Sequence, residues 1–312
     1  MINVSIIIVA YNSSSVIGEC ISSLRSKCTT QNYEIIVVDN NSTDSEKEYL
    51  RNLSGIDTLI LHSSNEGFGA ANNIGSISAK GDYLLFLNPD TIILNNIVTC
   101  FLEACDELEI FGVLGAWQKN PDLSDNHSYG SFDNHRISRF IRNEFRQNMV
   151  KQCISLSGIT HNRKPQQVKN YSPRAESVKE RQRFTEVDWI NGACLFMRKK
   201  IFIDIGCFDN RIFLFSEEVD LQRRLRDQGY YSFLVDGPQI IHLHEDKRKM
   251  ENWTRIQFYR GYLVYAKKHN SFLSYFMLRI SLVTILIMGS FLDLFSRRYS
   301  FTENCQCIHS LQ

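Results

Sequence analysis

Hydrophobic positions along this chain form short unbroken runs near its amino end and looser, periodic patterns beyond. Val4-Ser5-Ile6-Ile7-Ile8-Val9-Ala10 and Glu34 to Val38 are β-rich and apolar, and Tyr83 to Leu87 sets five apolar residues in a row. Runs of this kind read as strands buried on both faces, as inside a parallel sheet. Each ends abruptly in polar residues: Tyr11-Asn12-Ser13-Ser14-Ser15, then Asp39-Asn40-Asn41-Ser42-Thr43-Asp44, then Asn88-Pro89-Asp90. After the first, Val16, Ile17, Cys20, Ile21 and Leu24 recur at helical spacing behind capping serines. Leu59 to Leu61 reads as a short strand and Val98 to Leu108 as a helix. Strand and helix alternate, which predicts an α/β fold whose sheet has right-handed crossovers.

Beyond Trp117 the pattern loosens. Trp117 to Arg183 is polar with no clear strand, although Ile137, Phe140, Ile141, Phe145 and Met149 share one helical face and arginines populate the rest. A basic amphipathic helix of this kind suits a membrane surface, or packs its apolar stripe on the core. Lys164 to Arg183 reads as a loop. Val187 to Arg198 reads as a strand interrupted by Gly192, and Ile201 to Asp209 begins as a helix. Ser216 suits the cap of a helix that buries Leu221 and Leu225 and ends at Gly229. Ile240 to His244 is an apolar strand end with two histidines on one face. Phe272 to Phe295 is strongly apolar, yet its uncharged core, Ile280 to Leu292, is short of the roughly 20 residues that span a bilayer. It predicts a helix lying on a membrane or packed on the protein.

Charge adds a direction to this outline. The net charge of the 312 residues is only +1, but Arg136 to Arg183 holds twelve Lys/Arg against three Glu, and Lys247 to Lys268 holds seven against Glu251. That asymmetry points to a localised anionic partner, phosphate or membrane surface, and against nucleic acid wrapped along the protein. Nine cysteines form no CxxC pair, as expected of buried, reduced thiols. The first strand begins at Val4, leaving no room for a signal peptide ahead of it, so a cytoplasmic protein is expected.

Candidate chemistry sits where the strands stop. Pro89 cannot continue a sheet ladder, so Asp90 falls just past the carboxyl end of a buried strand, where open α/β sheets bind ligands. A rigid acid there suits Mg²⁺ or Mn²⁺ gripping a diphosphate, though Asn-Pro-Asp also makes a plain turn. Tyr11 and Asp39, at adjacent strand tips, can cradle a nucleoside; Asp39 opening an Asx-turn is an equally good account. Asn65 to Gly75 is rich in small residues, which let backbone approach a ligand or let a helix pack on the sheet. Neither a phosphate loop nor a GxGxxG fingerprint follows the early strands. Glu217, Glu218 and Asp220 crowd the first turn of a helix, which favours its dipole and raises their pKa values.

Ser5 to Asn12, Val37 to Asp44, Asn65 to Gly75 and Asn88-Pro89-Asp90 together resemble, in order and position, the inverting family-2 glycosyltransferases. The likeness resumes between Val187 and His244 and is nearest to the bacterial polysaccharide, rhamnosyltransferase-like branch. It implies the GT-A type nucleotide-diphospho-sugar transferase fold, a mostly parallel central sheet flanked by helices, with a C-terminal apolar helical appendage. Residues 1–245 would form the catalytic domain, with a nucleotide-binding half at 1–116, a basic variable insert at 117–186 and an acceptor half at 187–245; residues 246–312 would be helical. The resemblance places Ala10, Tyr11, Asn12, Asp39 and Asn41 at the donor nucleotide, with Gly67, Asn73 and Asn88 beyond them. It places Asp188, Trp189 and Asn191 under the acceptor sugar, Asp90 and His244 on Mg²⁺ or Mn²⁺, and Glu218 or its neighbour Glu217 as catalytic base. Asn88 replaces the first acid of the family's DxD motif, and Glu218 stands where the family usually has Asp. The implied donor is a dTDP- or UDP-sugar. The implied acceptor is a lipid-linked saccharide of O-antigen or capsule type, met on the inner face of the cell membrane. Two other functions fit the residues: a nucleotidyltransferase, although Tyr11 to Ser15 lacks the Gly-rich basic loop it needs, and a non-catalytic sugar-nucleotide-binding partner in a polysaccharide assembly complex.

Overall fold

The computed structural model describes residues 2–29, 32–126, 128–132, 182–243 and 252–296. The chain divides into two compact units, Met1–Phe132 with Ala175–Lys249, and Asp133–Arg174 with Met250–Gln312. The first unit opens with β1 (Val4–Ala10), α1 (Ser14–Lys27), β2 (Tyr33–Asp39), α2 (Asp44–Asn52), β3 (Thr58–Leu61), α3 (Phe68–Ser78) and β4 (Tyr83–Leu87). It continues through β5 (Thr91–Ile93), α4 (Ile97–Glu107), β6 (Val113–Lys119), β7 (Asp125–Asn126) and β8 (Tyr129–Gly130). Then come β9 (Phe184–Val187), β10 (Trp189–Ile190), β11 (Cys194–Arg198), α5 (Lys199–Asp204), α6 (Glu217–Asp227) and β12 (Ser232–His242).

Every residue of β1 and of β2 is buried, as their unbroken apolar runs predict. β1 lies at the middle of the parallel set β3-β2-β1-β4, where it can meet helices on both faces. Alternation along the strands sorts side chains into two cores. Ile6, Ile8, Leu85 and Leu87 pack with α1 and α4, whereas Ile7, Leu84 and Phe86 pack with Phe202, Phe208, Leu221 and Leu225. α1 buries Ile17, Cys20, Ile21 and Leu24, the stripe its spacing predicts.

Past β4 the sheet becomes mixed. β11 enters antiparallel to both β4 and β6, and β12 runs parallel to β6 while pairing antiparallel with β5 and β9. Two of these strands depart from the sequence expectation. The segment from Trp117 does contain strand, since β6 runs from Val113 through Trp117 to Lys119 and is buried over its first six residues. β12 is 11 residues long and begins well before Ile240. Its register shifts between Val235 and Gln239, at Asp236-Gly237-Pro238, so turn-type residues sit inside one bulged strand. Val187 to Arg198 is likewise three pieces and not one strand, breaking at Asp188 and at Asn191-Gly192-Ala193.

In the second unit, α7 (Asn252–His269) and α8 (Phe272–Ser296) pack through Tyr259, Leu263, Ala266, Leu278 and Leu282. α8 also turns Phe272, Leu273, Phe276, Met277 and Ile280 outward. Among the described residues, no helix is long and apolar enough to cross a membrane. The basic helix expected over Ile137 to Met149, nearly all of the loop expected over Lys164 to Arg183, and His244 lie outside the described residues. Cys20, Cys28, Cys105 and Cys194 are buried free thiols. Burial pushes the Cys20 and Cys194 thiols up to about 12, which keeps them protonated and unreactive.

Candidate active site

The apolar run of β4 carries the chain to Asn88, whose backbone carbonyl accepts the Thr91 hydroxyl at 2.8 Å, closing a tight turn around Pro89 and Asp90. β5 then pairs with the end of β12, setting Thr91 against His242. The result brings His242 Nε2 to 3.2 Å from Asp90 Oδ1. Leu243 N–H donates to the Asp90 carbonyl at 2.9 Å, which fixes the two segments together. The Asn88 amide lies 3.5 Å from the same imidazole, and its Oδ1 is buried with no hydrogen-bond partner. One carboxylate oxygen and one imidazole nitrogen therefore meet, with the Asn88 amide beside them, its Nδ2 toward the imidazole and its Oδ1 orphaned. That donor set fits Mg²⁺ or Mn²⁺, which take few protein ligands and leave positions for substrate phosphates. Among the described residues no three His, Cys, Asp or Glu side chains gather, so a closed structural metal cage is not what is built. His242 was not singled out from the sequence, because its place beside Asp90 depends on the β5–β12 pairing.

The second cluster stands at the start of α6. Phe215 and Ser216 both adopt left-handed backbone, with φ of 65° and 77°, a strained pair immediately before Glu217. Ser216 occupies the cap position as expected and its carbonyl accepts Asp220 N–H at 2.8 Å, the first bond of the helix, but its hydroxyl caps nothing. Asp220 is withdrawn from chemistry by Arg224, whose Nε donates to it at 2.8 Å while the guanidinium also grips the Ile205 and Cys207 carbonyls. Two acids are left. Glu217 is buried against Gly69, whereas Glu218 is only partly buried, and each has one carboxylate oxygen without a partner. Burial raises the Glu218 carboxyl to about 7, and burial together with the neighbouring Glu218 charge raises Glu217 well above the ordinary range. Between the ordinary carboxylate range and pH 7 the folded chain therefore binds protons that the unfolded chain has released. Stability falls as pH rises through that window, so Glu217→Gln is expected to melt higher than the parent at pH 8. Equal melting temperatures across the pH range would contradict this.

The two clusters border one turn. Asn88 N–H donates to the Ala193 carbonyl at 3.0 Å, and a Cβ placed on Gly192 would lie 4.0 Å from Glu218 Cβ and 3.4 Å from the Phe68 ring. Asn191-Gly192-Ala193 thus has the Asp90 strand end as one neighbour and the glutamate pair as another.

At the tips of β1 and β2, Asn12 and Asn41 both turn through left-handed backbone, and Asn40 N–H donates to the Ala10 carbonyl at 2.8 Å. Tyr11 projects there 51 % exposed, which leaves its ring face open to a base. Asn12 is tied to the next loop, accepting Thr43 N–H at 3.1 Å, and Asn41 accepts Lys47 at 3.1 Å. Asp39 is fully buried, and both of its oxygens accept Ser42 N–H, at 3.2 and 3.3 Å. Asp39 thereby holds the loop that follows β2 through a residue three positions on.

Three other candidates make close contacts within the protein. Gly67 is needed because a Cβ there would collide with the Phe213 carbonyl oxygen, so it allows a close approach of the protein's own backbone. With φ at 94° it is also left-handed, and Gly67→Ala is expected to cost at least about 1–3 kcal/mol in a denaturant titration. Asn73 is not free for a donor: its amide donates to the Phe208 carbonyl and to Asn210, and accepts Phe208 N–H, clamping the loop before α6. Asn191 is likewise committed, exchanging hydrogen bonds with Gln118 at 2.5 and 3.2 Å. Amide side chains satisfy buried backbone well, which is why both look like ligand contacts in sequence. Of the remaining acceptor candidates, Asp188 accepts Phe132 N–H at 2.7 Å and the Trp189 indole N–H donates to the Ser131 carbonyl at 3.2 Å. Trp189 keeps part of its ring accessible.

A model of glycosyl transferase family 2 matches residues 5–206, from β1 to just past α5. The chain belongs to glycosyl transferase family 2. Its fold is of GT-A type in an inverting family of glycosyltransferases, as the early motifs implied, and membership speaks against the nucleotidyltransferase. This family-2 chain is 24% identical over 258 residues to the N-acetylglucosaminyl-diphospho-decaprenol L-rhamnosyltransferase of Mycobacterium tuberculosis, covering 78% of each. It is 33% identical over 129 residues to glycosyltransferase GlyG of Streptococcus pneumoniae, a match that takes in 40% of this chain and 42% of GlyG. The crystal structure of GalNAc-T7 with UDP, GalNAc and Mn²⁺ superposes with a TM-score of 0.57 at 14% identity, over 84% of this chain and 47% of that one. The family-2 chain thus spans less than half the length of two of these three proteins.

Proposed function

We propose that this chain transfers a sugar, with inversion, from a nucleotide-diphosphate donor to a hydroxyl of a saccharide carried on a lipid. The observation that carries the reading is the shared turn: Glu218, poised near neutrality by burial, and Asn88, two residues before the Asp90 that pairs with His242, both border Asn191-Gly192-Ala193. Tyr11 packs on the base of a dTDP- or UDP-sugar at the tips of β1 and β2. Asp90 and His242, with the Asn88 amide beside them, would hold a divalent ion, and the chemistry it would supply is stabilisation of charge on the departing diphosphate. Glu218 takes the proton of the acceptor hydroxyl as that oxygen attacks the anomeric carbon from the face opposite the leaving group, and the carbon–oxygen bond to the diphosphate breaks. Glu217, more deeply buried, serves as a neutral neighbour. The UDP and Mn²⁺ bound to GalNAc-T7 support the donor and the metal, and the diphospho-decaprenol in the name of the mycobacterial relative supports the lipid carrier.

Because the base must be ionised, kcat/KM is expected to climb with pH and level off above about 7. A profile flat from pH 5 to 9 would remove Glu218 from the role. The test of the whole reading is release of nucleotide diphosphate from a panel of dTDP- and UDP-sugars, with and without Mn²⁺, on adding a lipid-linked saccharide.

We assign the α7–α8 pair to the cytoplasmic membrane surface. Phe272 and Leu273 are 82% and 68% exposed and follow directly on exposed Lys267 and Lys268, an apolar edge beside positive charge that suits anionic lipid. Phe272→Ser with Phe276→Ser is expected to weaken co-sedimentation with anionic vesicles severalfold; unchanged sedimentation would contradict the assignment.

A further inference from the structure

Two buried glutamines lie beside the acceptor-side segment, and no step of the transfer uses them. Gln222 sits one helical turn after Glu218 on α6 and is 1 % exposed; Gln118 sits on β6 and is also 1 % exposed. Gln222 Oε1 accepts Ile190 N–H at 2.8 Å, while its Nε2 donates to the Ile190 carbonyl at 2.7 Å and to the Glu218 carbonyl at 3.0 Å. β10 has a strand neighbour, β8, over only two residues, Trp189 opposite Gly130 and Ile190 opposite Tyr129. The Gln222 amide therefore does for Ile190 what a second paired strand would do. One residue further on, Gln118 Nε2 donates to Asn191 Oδ1 at 2.5 Å, and Asn191 Nδ2 donates back to Gln118 Oε1 at 3.2 Å. Asn191 Oδ1 also accepts Ala193 N–H at 3.3 Å, which shapes the turn itself.

We propose that Gln222 and Gln118 are positioning residues that hold the segment Ile190–Ala193 at a fixed distance from the Glu218 carboxylate, so that an acceptor hydroxyl resting there meets its base. The proposal rests on the reading of Glu218 as base and of this segment as the acceptor's side. Packing alone does not ask for these residues. An apolar side chain of the same length would fill the space, but it would leave the Ile190 N–H and carbonyl without these partners, at about 1–3 kcal/mol for each buried group left unpaired. A fully satisfied polar contact instead fixes one geometry among the many that packing tolerates. Gln222 bonds to both partners at once, Ile190 on one side and the turn of helix bearing Glu218 on the other. It is the shortest link between base and acceptor segment that the hydrogen bonds define.

The test compares Gln222→Met and Gln118→Met with Glu218→Gln in the full-length chain, measuring transfer to the acceptor, slow transfer of the donor sugar to water, and both KM values. Loss of positioning by about 1 Å is worth about a hundredfold, so Gln222→Met is expected to lower kcat for the acceptor by about tenfold to a hundredfold. Acceptor KM should rise while donor KM holds, and transfer to water, which needs no acceptor segment, should fall much less. Gln118→Met, which loosens the same segment from its other side, should give the same selective signature, so the test does not hang on the folding of one variant. Parental kinetics in both variants would overturn the proposal, as would equal losses in all four measurements, the mark of a merely structural role. If Glu218→Gln left transfer intact, the assignment of the base would fail instead, and that outcome is distinct from either.

Discussion

Glu218→Gln is expected to lower sugar transfer by about a hundredfold to ten-thousandfold, the usual worth of a general base, while leaving the affinity for donor within about twofold. Gln keeps the shape and the burial and removes only the ability to accept a proton. The substitution also removes a carboxyl that burial lifts to about 7, so the variant should be as stable as the parent in acid and more stable in alkali. Glu217→Gln is the contrasting case. Glu217 is 4 % exposed with its side chain against Gly69, too enclosed to reach an acceptor, so its loss should cost far less activity. If the two variants exchange these behaviours, the base is Glu217. Steady-state kinetics together with isothermal titration of donor distinguishes the outcomes.

Asp90→Ala is the second large effect. It removes the carboxylate that faces His242 at 3.2 Å and leaves the Asn88 amide and one imidazole to hold an ion. A divalent ion without its carboxylate is weakly held, and rate losses of about 10²–10³ follow when a main stabiliser of developing charge is removed. The expected signature is specific: added Mn²⁺ should raise the melting temperature of the parent and not of the variant, and excess Mn²⁺ should fail to restore transfer. His242→Ala should lie between, with activity partly recovered at high Mn²⁺. Full activity of Asp90→Ala in the presence of chelator would show that the diphosphate is handled by other groups.

The parts of this molecule that sequence pattern revealed are those whose physics is local. β1, β2 and β4 are legible because a strand covered on both faces is apolar along most of its length. Asp90 is legible because Pro89 ends such a strand, and Glu217 and Glu218 because acids in a first helical turn stand out. β6 and β12 escaped for the opposite reason: Gly115 and Gln118 dilute the first, and Asp236-Gly237-Pro238 gives the second the composition of a turn. Partners that come from far along the chain were beyond reach. His242 meets Asp90 only through the β5–β12 ladder, and Gln222 meets Ile190 only after α6 docks on β10. The partners of Asn73 and Asn191 were likewise invisible, because an amide bonded to a distant part of the chain and one that binds a ligand look alike in sequence.

A phosphorylated donor has two places to choose between. A cavity of about 450 Å³ lined by Asp82, Tyr83, Arg198, Lys199, Lys200, Ile203 and Asp204 lies at the amino end of β4, opposite to Asp90. Basic side chains make it attractive to an anion, yet it holds neither a poised base nor a carboxylate–imidazole pair, so donor bound there could not react.

A crystal structure of the chain soaked with nucleoside diphosphate and Mn²⁺ separates the two most directly. The expected density places the ion between Asp90 and His242, with the diphosphate beside it and open space leading to Glu218. Nucleotide in the cavity beside Lys199 and Lys200, or packed side chains filling the route from Asp90 to Glu218, would contradict the account.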